Sequence, residues 1–362
     1  MNVDRRKFLA IGTAALSACA TRNGTVRYDA IVGNDASFEA PRFPSLKAAL
    51  DAAPSNATTP HRIFVGPGRW HEKLYIDKPF IHLVGAGTHR SVITYNDYAG
   101  LEVEGKPVGT MRTATLTVRA PDFSASHLTI ENAFDYLGYL NRLRDTLTTS
   151  GAQAVALMLS GNADRSRIAN CNIEGFQDTL LVDAGRSYFS ECKVSGNVDF
   201  IFGAGRAFFE RCEIVSRLRP GEGRQGIISA PSTLSTQEQG LVFDRCRLTK
   251  EAGMPANSVA LGRAWRPTRD FPDGRYGDPR AVGSAVYRNC WMGDHIAHEA
   301  WDPMFYGARD GSRQALQPQD ARFFEYRNRG PGAQAHDLRR LLSEEQAMRY
   351  EKAQVLAGWQ GL

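Results

Sequence analysis

Short segments in which apolar and polar residues alternate recur along the chain, separated by Gly, Asn, Asp and Ser. Five copies carry a cysteine at the same place, at Cys171, Cys192, Cys212, Cys246 and, in a looser copy, Cys290. The first two gaps between these cysteines are 21 and 20 residues, and residues 123–130 form an earlier copy without cysteine. The alternation predicts short strands. The regular period indicates a solenoid, because one coil of about 20 residues cannot bury its own inner face and must stack on its neighbours.

The solenoid is predicted to be an all-β parallel β-helix, since the repeating pattern of leucine-rich proteins is absent. Gaps of 34 and 44 residues after Cys212 and Cys246 indicate coils with long loops. Residues 43–50 predict a short helix that caps the N-terminal end. Ser343-Glu344-Glu345-Gln346 has the spacing of a capping box and predicts a helical tail through about Leu356, laid along the coils. No Pro/Gly/Ser-rich linker divides the chain, so residues 28–362 are predicted to form one domain.

The first residues are predicted to be an export signal. A charged start with adjacent Arg5 and Arg6, typical of twin-arginine signals, precedes the apolar stretch Phe8–Ala18. That stretch is too short to span a bilayer, which needs roughly 20 residues. Leu16-Ser17-Ala18-Cys19 is similar to a lipobox, so residues 1–18 would be removed, Cys19 would carry lipid and residues 19–27 would be a linker. We expect an exported lipoprotein anchored to a membrane surface, with the outer membrane as the expected location. The alternative is an ordinary secretory peptide and a periplasmic or secreted protein.

The charge of the chain does not favour nucleic acid as a partner. The formal net charge is +5 and falls to +3 when residues 1–18 are removed, and no long run of Lys or Arg is present. Weak positive charge is compatible with an acidic polymer but also with simple solubility.

The cysteines of consecutive coils are predicted to lie roughly 4.8 Å apart, the spacing of parallel strands. This separation suits a disulfide, and an exported protein meets an oxidising compartment. Cys192–Cys212 is the preferred pair, and Cys171–Cys192 has similar geometry. A ladder of reduced, buried thiols fits the pattern equally well. No Cys/His spacing indicates zinc, and no metal site is predicted.

Two aspartates share one position in the repeat. Asp178 lies seven residues after Cys171, and Asp199 lies seven residues after Cys192, so both should face each other on neighbouring coils. Carboxylates this close titrate together, so that one becomes an acid near neutral pH while the other stays anionic. That division suits a nucleophile with a general acid/base. Turn-stabilising aspartates, a retaining glycosidase or a calcium site are alternatives that the spacing leaves open.

Five segments together resemble the pectin methylesterase family, which folds as a right-handed parallel β-helix, and the resemblance is closest to bacterial members. In chain order they are residues 68–72 (GRWHE), 153–157 (QAVAL), 177–180 (QDTL), 199–203 (DFIFG) and 261–265 (LGRAW). The resemblance runs from about residue 28 to the C-terminus. The combination is specific, whereas any one segment alone is weak.

The resemblance implies a role for each matching residue. Asp199 would attack the methyl ester, and Asp178 would act as general acid and then as base. Gln153 and Gln177 would stabilise the oxyanion, and Arg263 would orient Asp199. Phe202 and Trp265 match aromatic walls that hold sugar rings, and the less specific matches to substrate contacts are Val198, Thr110 and Met304. The family needs no cofactor, and its disulfide in bacterial members falls on Cys192 and Cys212.

Two positions depart from the family pattern. Ala264 stands where members usually have Pro, which loosens the loop that holds Arg263 and Trp265. Leu181 stands where many members have Tyr, and this puts sugar contacts in question more than the chemistry.

The resemblance favours hydrolysis of methyl esters on galacturonan or its oligomers by a monomeric enzyme. A second reading keeps the site but changes the substrate to another ester or a thioester, which the loss of an aromatic at Leu181 makes credible. A third is a non-catalytic carbohydrate-binding solenoid. The chain contains no Gly-x-Ser-x-Gly nucleophile elbow, which argues against an α/β-hydrolase route to esters.

Overall fold

The computed structural model describes residues 27–34, 38–143 and 151–359, and these residues wind into a parallel β-helix. Each complete coil contributes one strand to each of three parallel sheets. In the coil that contains Cys171, Ser166–Ala169 belongs to the first sheet, Asn172–Glu174 to the second and Leu180–Val182 to the third. The predicted fold class is confirmed.

The bounds of the strands follow the order of the coils. The first sheet consists of Arg42–Phe43, Ala30–Val32, His61–Val65, Ile81–Gly85, Ser124–Ser126, Ser166–Ala169, Arg186–Ser190, Arg206–Glu210, Leu241–Asp244, Ser284–Arg288 and Arg322–Tyr326. The second consists of Gly68–His71, Ser91–Tyr95, Thr129–Asn132, Asn172–Glu174, Lys193–Gly196, Glu213–Ser216, Arg247–Lys250 and Trp291–Met292. The third consists of Leu74–Ile76, Leu116–Val118, Leu157–Leu159, Leu180–Val182, Val198–Gly203, Gly226–Pro231 and Val259–Gly262.

Loops between the coils carry the remaining elements. Three antiparallel hairpins pair Glu102–Val103 with Lys106–Pro107, Thr268–Phe271 with Gly274–Gly277, and Met304–Gly307 with Arg313–Leu316. The α-helices are α1 (Leu46–Ala52), α2 (Tyr136–Leu143), α3 (Glu344–Met348) and α4 (Lys352–Val355). Short 3-10 helices occupy Thr110–Arg112 and Pro318–Asp320.

The sharp corner between the first and second sheets explains the repeated pattern around the cysteines. The residue before each cysteine, such as Asn170 or Glu191, adopts a left-handed conformation with φ between 51° and 54°. This turns the chain, and the cysteine that follows points into the core. Aromatic side chains of the first sheet also stack inside: Phe189, Phe209, Phe243 and Tyr287 follow one another with ring centroids 4.4–4.7 Å apart. Register is therefore held by like residues stacking on like.

A helix covers the N-terminal end of the coils, and the C-terminal tail lies along the coils, both as predicted. Ser45 caps α1 by accepting a hydrogen bond from the Ala48 amide, and Leu46, Ala49 and Leu50 of this helix are buried in the core. In the tail, the predicted capping box of Ser343 and Gln346 is present at the start of α3.

The C-terminal tail is two short helices rather than one. The interruption places Tyr350, which is 5% exposed, against the outer face of the first sheet. Val355 and Leu356 pack in the same cluster with Tyr188, Phe208, Val242 and Val286. Packing against the sheet therefore overrides helix continuation.

The predicted disulfide is not formed. All five cysteines of the described residues are free and buried. Each thiol is directed at main-chain carbonyl oxygens instead: Cys192 Sγ lies 3.4 Å from Ile168 O, and Cys212 Sγ lies 3.5 Å from Phe189 O. Burial raises the pKa of Cys171 to about 12, which keeps that thiol protonated. The structure thus has the alternative arrangement, a ladder of reduced thiols.

The predicted export signal, lipobox, Cys19 and most of the linker lie outside the described residues. Within the described ranges, no helix is long and apolar enough to cross a membrane.

Candidate active site

Asp178 and Asp199 lie side by side on neighbouring coils. Leu180 pairs with Ile201 in the third sheet, so the aspartates two residues earlier occupy equivalent positions, and the Asp178 amide donates to Val198 O at 3.1 Å. Both have positive φ, 60° for Asp178 and 50° for Asp199. Left-handed backbone is uncommon outside glycine and marks strain that surrounding structure must hold. Here the left-handed conformation occurs where the chain enters the third sheet, just before the strand Leu180–Val182 for Asp178 and at the start of Val198–Gly203 for Asp199.

Arg263 binds the Asp199 carboxylate through both oxygens. Its Nε donates to Oδ1 at 2.9 Å and its Nη2 donates to Oδ2 at 2.6 Å. Arg263 directly follows the strand Val259–Gly262, and its amide donates to Ser229 O at 3.0 Å, which extends the ladder and fixes the start of the side chain. A bidentate pair of this kind sets both the charge and the orientation of the carboxylate.

The two aspartates differ in their electrostatic surroundings. Burial, together with the neighbouring Asp199 charge, raises the pKa of Asp178 well above its usual value. Burial also raises the pKa of Asp199, but the Arg263 guanidinium opposes this shift through its charge and its hydrogen bonds. Asp199 therefore ionises first, and Asp178 retains the shared proton.

A cavity of about 430 Å³ contains nine of the ten residues that sequence comparison predicted for the site. They are Thr110, Gln153, Gln177, Asp178, Asp199, Phe202, Arg263, Trp265 and Met304, and they come from six separate segments of the chain. Val198 does not line the cavity. It is 8% exposed, and its carbonyl oxygen accepts the hydrogen bond from the Asp178 amide.

The side-chain amides of Gln153 and Gln177 face the cavity from adjacent coils. The Ala154 amide donates to Gln177 O at 3.1 Å, which keeps the two segments in step. Within the described part of the chain, no hydrogen bond engages either side-chain amide, so both remain available to a bound molecule. Two convergent amide donors beside a nucleophile can stabilise an oxyanion.

Aromatic and apolar side chains form the walls of the cavity. Phe202 and Trp265 meet edge to face with ring centroids 5.8 Å apart. The Trp265 amide donates to Pro231 O at 2.9 Å, which fixes the residue to the third sheet. Thr110 opens a 3-10 helix, and Met304 begins a hairpin strand. Loops therefore build the walls above a floor made by the sheet.

Several residues near the site escaped the sequence analysis. Met111 and Ala230 also line the cavity. Asp302 forms an ion pair with Arg224 at 2.9 Å, and its charge helps to raise the pKa of Asp199 and that of Arg263. Met111 could have been predicted from the sequence, because it directly follows Thr110. Asp302 lies in a long loop outside the repeat, so no spacing signal pointed to it. The described residues contain no group of three or more His, Cys, Asp and Glu placed to hold a metal ion.

Comparison with known proteins agrees with this geometry. The pectinesterase family model matches residues 29–358. The chain belongs to the pectinesterase family. It is therefore an enzyme, a carboxylic ester hydrolase of this family. It is 38% identical over 359 residues to pectinesterase A of Dickeya dadantii, covering 96% of this chain and 97% of that protein.

Solved structures of the family share the fold over nearly the whole chain. Pectin methylesterase PemA from Erwinia chrysanthemi superposes with a TM-score of 0.88 at 39% identity, covering 92% of this chain and 98% of that one. Pectin methylesterase from Yersinia enterocolitica gives a TM-score of 0.85 at 44% identity, covering 88% of this chain and all of that one (100%).

The two departures from the family pattern have different surroundings. Ala264 is 1% exposed and packs against Gly283, where an added Cβ would lie 2.9 Å from the Ala264 Cβ. The tight fit and the main-chain hydrogen bond of Trp265 hold this loop without the expected proline. Leu181 is 1% exposed in an apolar cluster with Phe202 and Met158. It supports Phe202 from the side rather than lining the cavity itself.

Proposed function

We propose that this enzyme removes methyl esters from pectin or methylated oligogalacturonides and releases methanol through an aspartyl acyl-enzyme. One observation carries the proposal: Arg263 holds Asp199 in bidentate fashion, while Asp178, whose pKa is raised further, lies one coil away in the same cavity. An ionised carboxylate beside a protonated one is the arrangement that nucleophilic attack with acid assistance requires.

In the acylation step, a carboxylate oxygen of Asp199 attacks the ester carbonyl carbon. Negative charge then develops on the carbonyl oxygen, and the amides of Gln153 and Gln177 donate hydrogen bonds to it. One such donor contributes about 3–4 kcal/mol to the stability of the transition state. Asp178 transfers its proton to the methoxy oxygen, the carbon–oxygen bond breaks, and methanol leaves. Asp199 is now joined to the substrate acyl group as an anhydride.

In the second step, the ionised Asp178 takes a proton from water. The resulting hydroxide attacks the acyl carbon, and the bond to Asp199 breaks. The product leaves as a carboxylic acid that loses its proton to the solvent, and the ionised Asp199 and the protonated Asp178 are restored. Each proton that Asp178 gives in the first step therefore returns in the second, which is why its pKa must lie near the working pH.

Carbohydrate is the substrate class that the cavity walls support. Phe202 and Trp265 line the cavity together with the two carboxylates, and aromatic side chains provide apolar surface against which a sugar ring can pack. A related pectin methylesterase, 39% identical and with a TM-score of 0.88, was solved in complex with a hexasaccharide. We include in the proposal an exported, lipid-anchored location, which would place the enzyme where such polymers occur.

The proposal is tested by methanol release from methylated pectin and from methylated oligogalacturonides. We expect release by the wild-type enzyme from at least one substrate and none by Asp199→Ala. Asp183→Ala serves as the matched control, because Asp183 is a half-buried aspartate in the neighbouring coil, directly after the strand Leu180–Val182, and lies outside the cavity. Thioester cleavage without methanol release would overturn the assigned substrate and leave the fold intact. Absence of both activities in a folded protein would favour a binding solenoid.

A further inference from the structure

A second groove lies at the corner between the first and second sheets, away from the catalytic cavity. In a three-sided coil this corner is opposite the third sheet, whose strands support the catalytic cavity. The groove has a volume of about 630 Å³. Three consecutive coils each contribute two outward-facing residues to it, and the pairs are Arg245 with Arg247, Asn289 with Trp291, and Arg327 with Arg329. We call it the corner groove.

Positive charge in the corner groove is only partly neutralised within the protein. Arg245 forms an ion pair with Asp244 at 2.9 Å, and Arg327 lies 3.6 Å from Glu344. Arg247 and Arg329 are exposed and form no ion pair with any described residue. Arg288 forms the floor, 8% exposed, with Nε 3.0 Å from Asp244 Oδ1 and Nη1 donating to Ala347 O in α3. Two exposed guanidinium groups are therefore left for a ligand.

The unpaired arginines flank an aromatic ring. Arg247 pairs in register with Trp291, and Trp291 pairs with Arg329 on the next coil. Arg247 and Arg329 are thus two coil steps apart, roughly 10 Å along the solenoid. The Arg247 guanidinium lies 4.9 Å from the Trp291 ring centroid, an arrangement that orders both side chains. The groove offers cation, aromatic surface and cation in a row.

We propose that the corner groove binds a run of unesterified uronate residues in a galacturonan chain. Guanidinium groups bind carboxylates in bidentate fashion, and an indole face supports the apolar face of a sugar ring. A methyl-esterified chain carries the same sugar rings without the charges, so the groove discriminates the hydrolysed from the unhydrolysed polymer. This proposal rests on the proposed function, because hydrolysis of methyl esters is what creates the carboxylates.

Binding at the corner groove would keep the enzyme on polymer that it has partly processed. The groove and the catalytic cavity are on different sides of the solenoid, so a de-esterified stretch and an esterified stretch bind independently. Two linked sites raise the effective concentration of substrate at the second site without any new contact in the first. The expected consequence is a lower KM on partly de-esterified pectin than on short esterified oligomers.

The test measures binding of a short unmethylated galacturonate oligomer to Asp199→Ala protein, with a fully methylated oligomer present to occupy the catalytic cavity. With Arg247→Gln and Arg329→Gln also present, the protein should bind the unmethylated oligomer about 10-fold more weakly. When the groove arginines are intact, added salt should also weaken binding of this oligomer. Trp291→Ala should also weaken it. The matched control is Arg62→Gln with Arg90→Gln, two exposed arginines that likewise form no ion pair with any described residue.

Enzymes with Asp199 intact give an independent readout. The Arg247→Gln/Arg329→Gln variant should release methanol from short methylated oligomers at the wild-type rate and show a KM raised severalfold on partly de-esterified pectin. Unchanged oligomer binding by the groove variant, or an equal loss in the control variant, overturns the proposal. The proposal is also overturned if the groove variant still binds the uronate oligomer but no longer binds vesicles of anionic phospholipid. Because the binding measurement needs no turnover, failure of the esterase assay leaves its result interpretable.

Discussion

One guanidinium holds both carboxylate oxygens of Asp199: Arg263 Nε is 2.9 Å from Oδ1 and Nη2 is 2.6 Å from Oδ2. The pair lies in a protein environment where burial alone would raise the pKa of Asp199. Arg263 counteracts that rise and keeps the carboxylate ionised at lower pH. It also leaves the carboxylate with one fixed orientation toward the cavity.

Replacing Arg263 with Gln should raise the pKa of Asp199 further. The acid limb of the kcat–pH profile should therefore move to higher pH, and kcat at its maximum should fall on the order of 100-fold because the nucleophile loses its orientation. Arg263→Lys retains the charge but not the bidentate geometry, so it should lower kcat with a smaller shift of the acid limb. An acid limb at the same pH in wild type and Arg263→Gln would show that Arg263 does not control the ionisation of Asp199.

Replacing Asp178 with Asn should separate the two steps of the reaction. The variant cannot protonate methanol as it leaves, so methyl ester hydrolysis should fall by about 10²–10⁴-fold. An aryl ester of galacturonic acid, whose leaving group needs no proton, should still acylate Asp199. Rapid mixing should then show a burst of about one phenolate per enzyme, followed by slow turnover. Asp199→Asn is the matched control and should give no burst. A wild-type rate of methyl ester hydrolysis in Asp178→Asn would contradict its role as the acid.

Buried His295 should make the fold less stable in mild acid. It is fully buried, and burial with the nearby Lys250 charge lowers its pKa from 6.5 to about 4, although Asp294 opposes the shift. The unfolded chain therefore binds a proton between these values more readily than the folded one. Stability is fully present above about pH 6.5 and is lost as the pH falls towards 4, by up to about 3 kcal/mol.

Urea unfolding at neutral pH and near pH 4.5 measures this loss. His295→Phe should remove that part of the pH dependence, since neither ring nitrogen of His295 has a hydrogen-bond partner to lose. His298→Phe is the control, because His298 is exposed. Identical pH dependence in wild type and His295→Phe would rule out this contribution.

The five stacked cysteines should be reduced in the folded enzyme. Alkylation in denaturant without reductant should label Cys171, Cys192, Cys212, Cys246 and Cys290, as read by peptide mass spectrometry. The free energy of unfolding should be the same with and without reductant. Protection of Cys192 and Cys212 from alkylation, reversed by reductant, would restore the disulfide that the sequence comparison implied.

The repeat in the sequence was sufficient to predict the coil architecture. Cysteines at a spacing of about one coil, each in the same local pattern, required strands that stack in register, and the pairing of Asn172 with Lys193 next to Cys171 and Cys192 shows that register. The same regularity placed Asp178 beside Asp199. It did not predict whether neighbouring thiols are oxidised, because reduced and bonded cysteines stack at the same coil spacing.

The elements outside the repeat were harder to predict. Helix α2 and the three hairpins lie in loops whose lengths vary from coil to coil, so no period identifies them. The helical tail was predicted as one element from its capping box. It divides because Tyr350 gains more by packing on the outer face of the first sheet than by continuing a helix.

The sequence by itself determined the parallel β-helix and the pair of aspartates, because both depend on residues a fixed number of positions apart in stacked coils. Only the tertiary structure decided what surrounds that pair. Arg263 lies 64 residues beyond Asp199, and Thr110 and Met304 lie in loops that follow no repeat. The corner groove also needed the structure, because the coils that carry Arg245, Trp291 and Arg329 are separated by unequal loops. The side chains converge there because the coils stack, and when loop lengths differ the distance between two stacked residues cannot be read from their separation in the sequence.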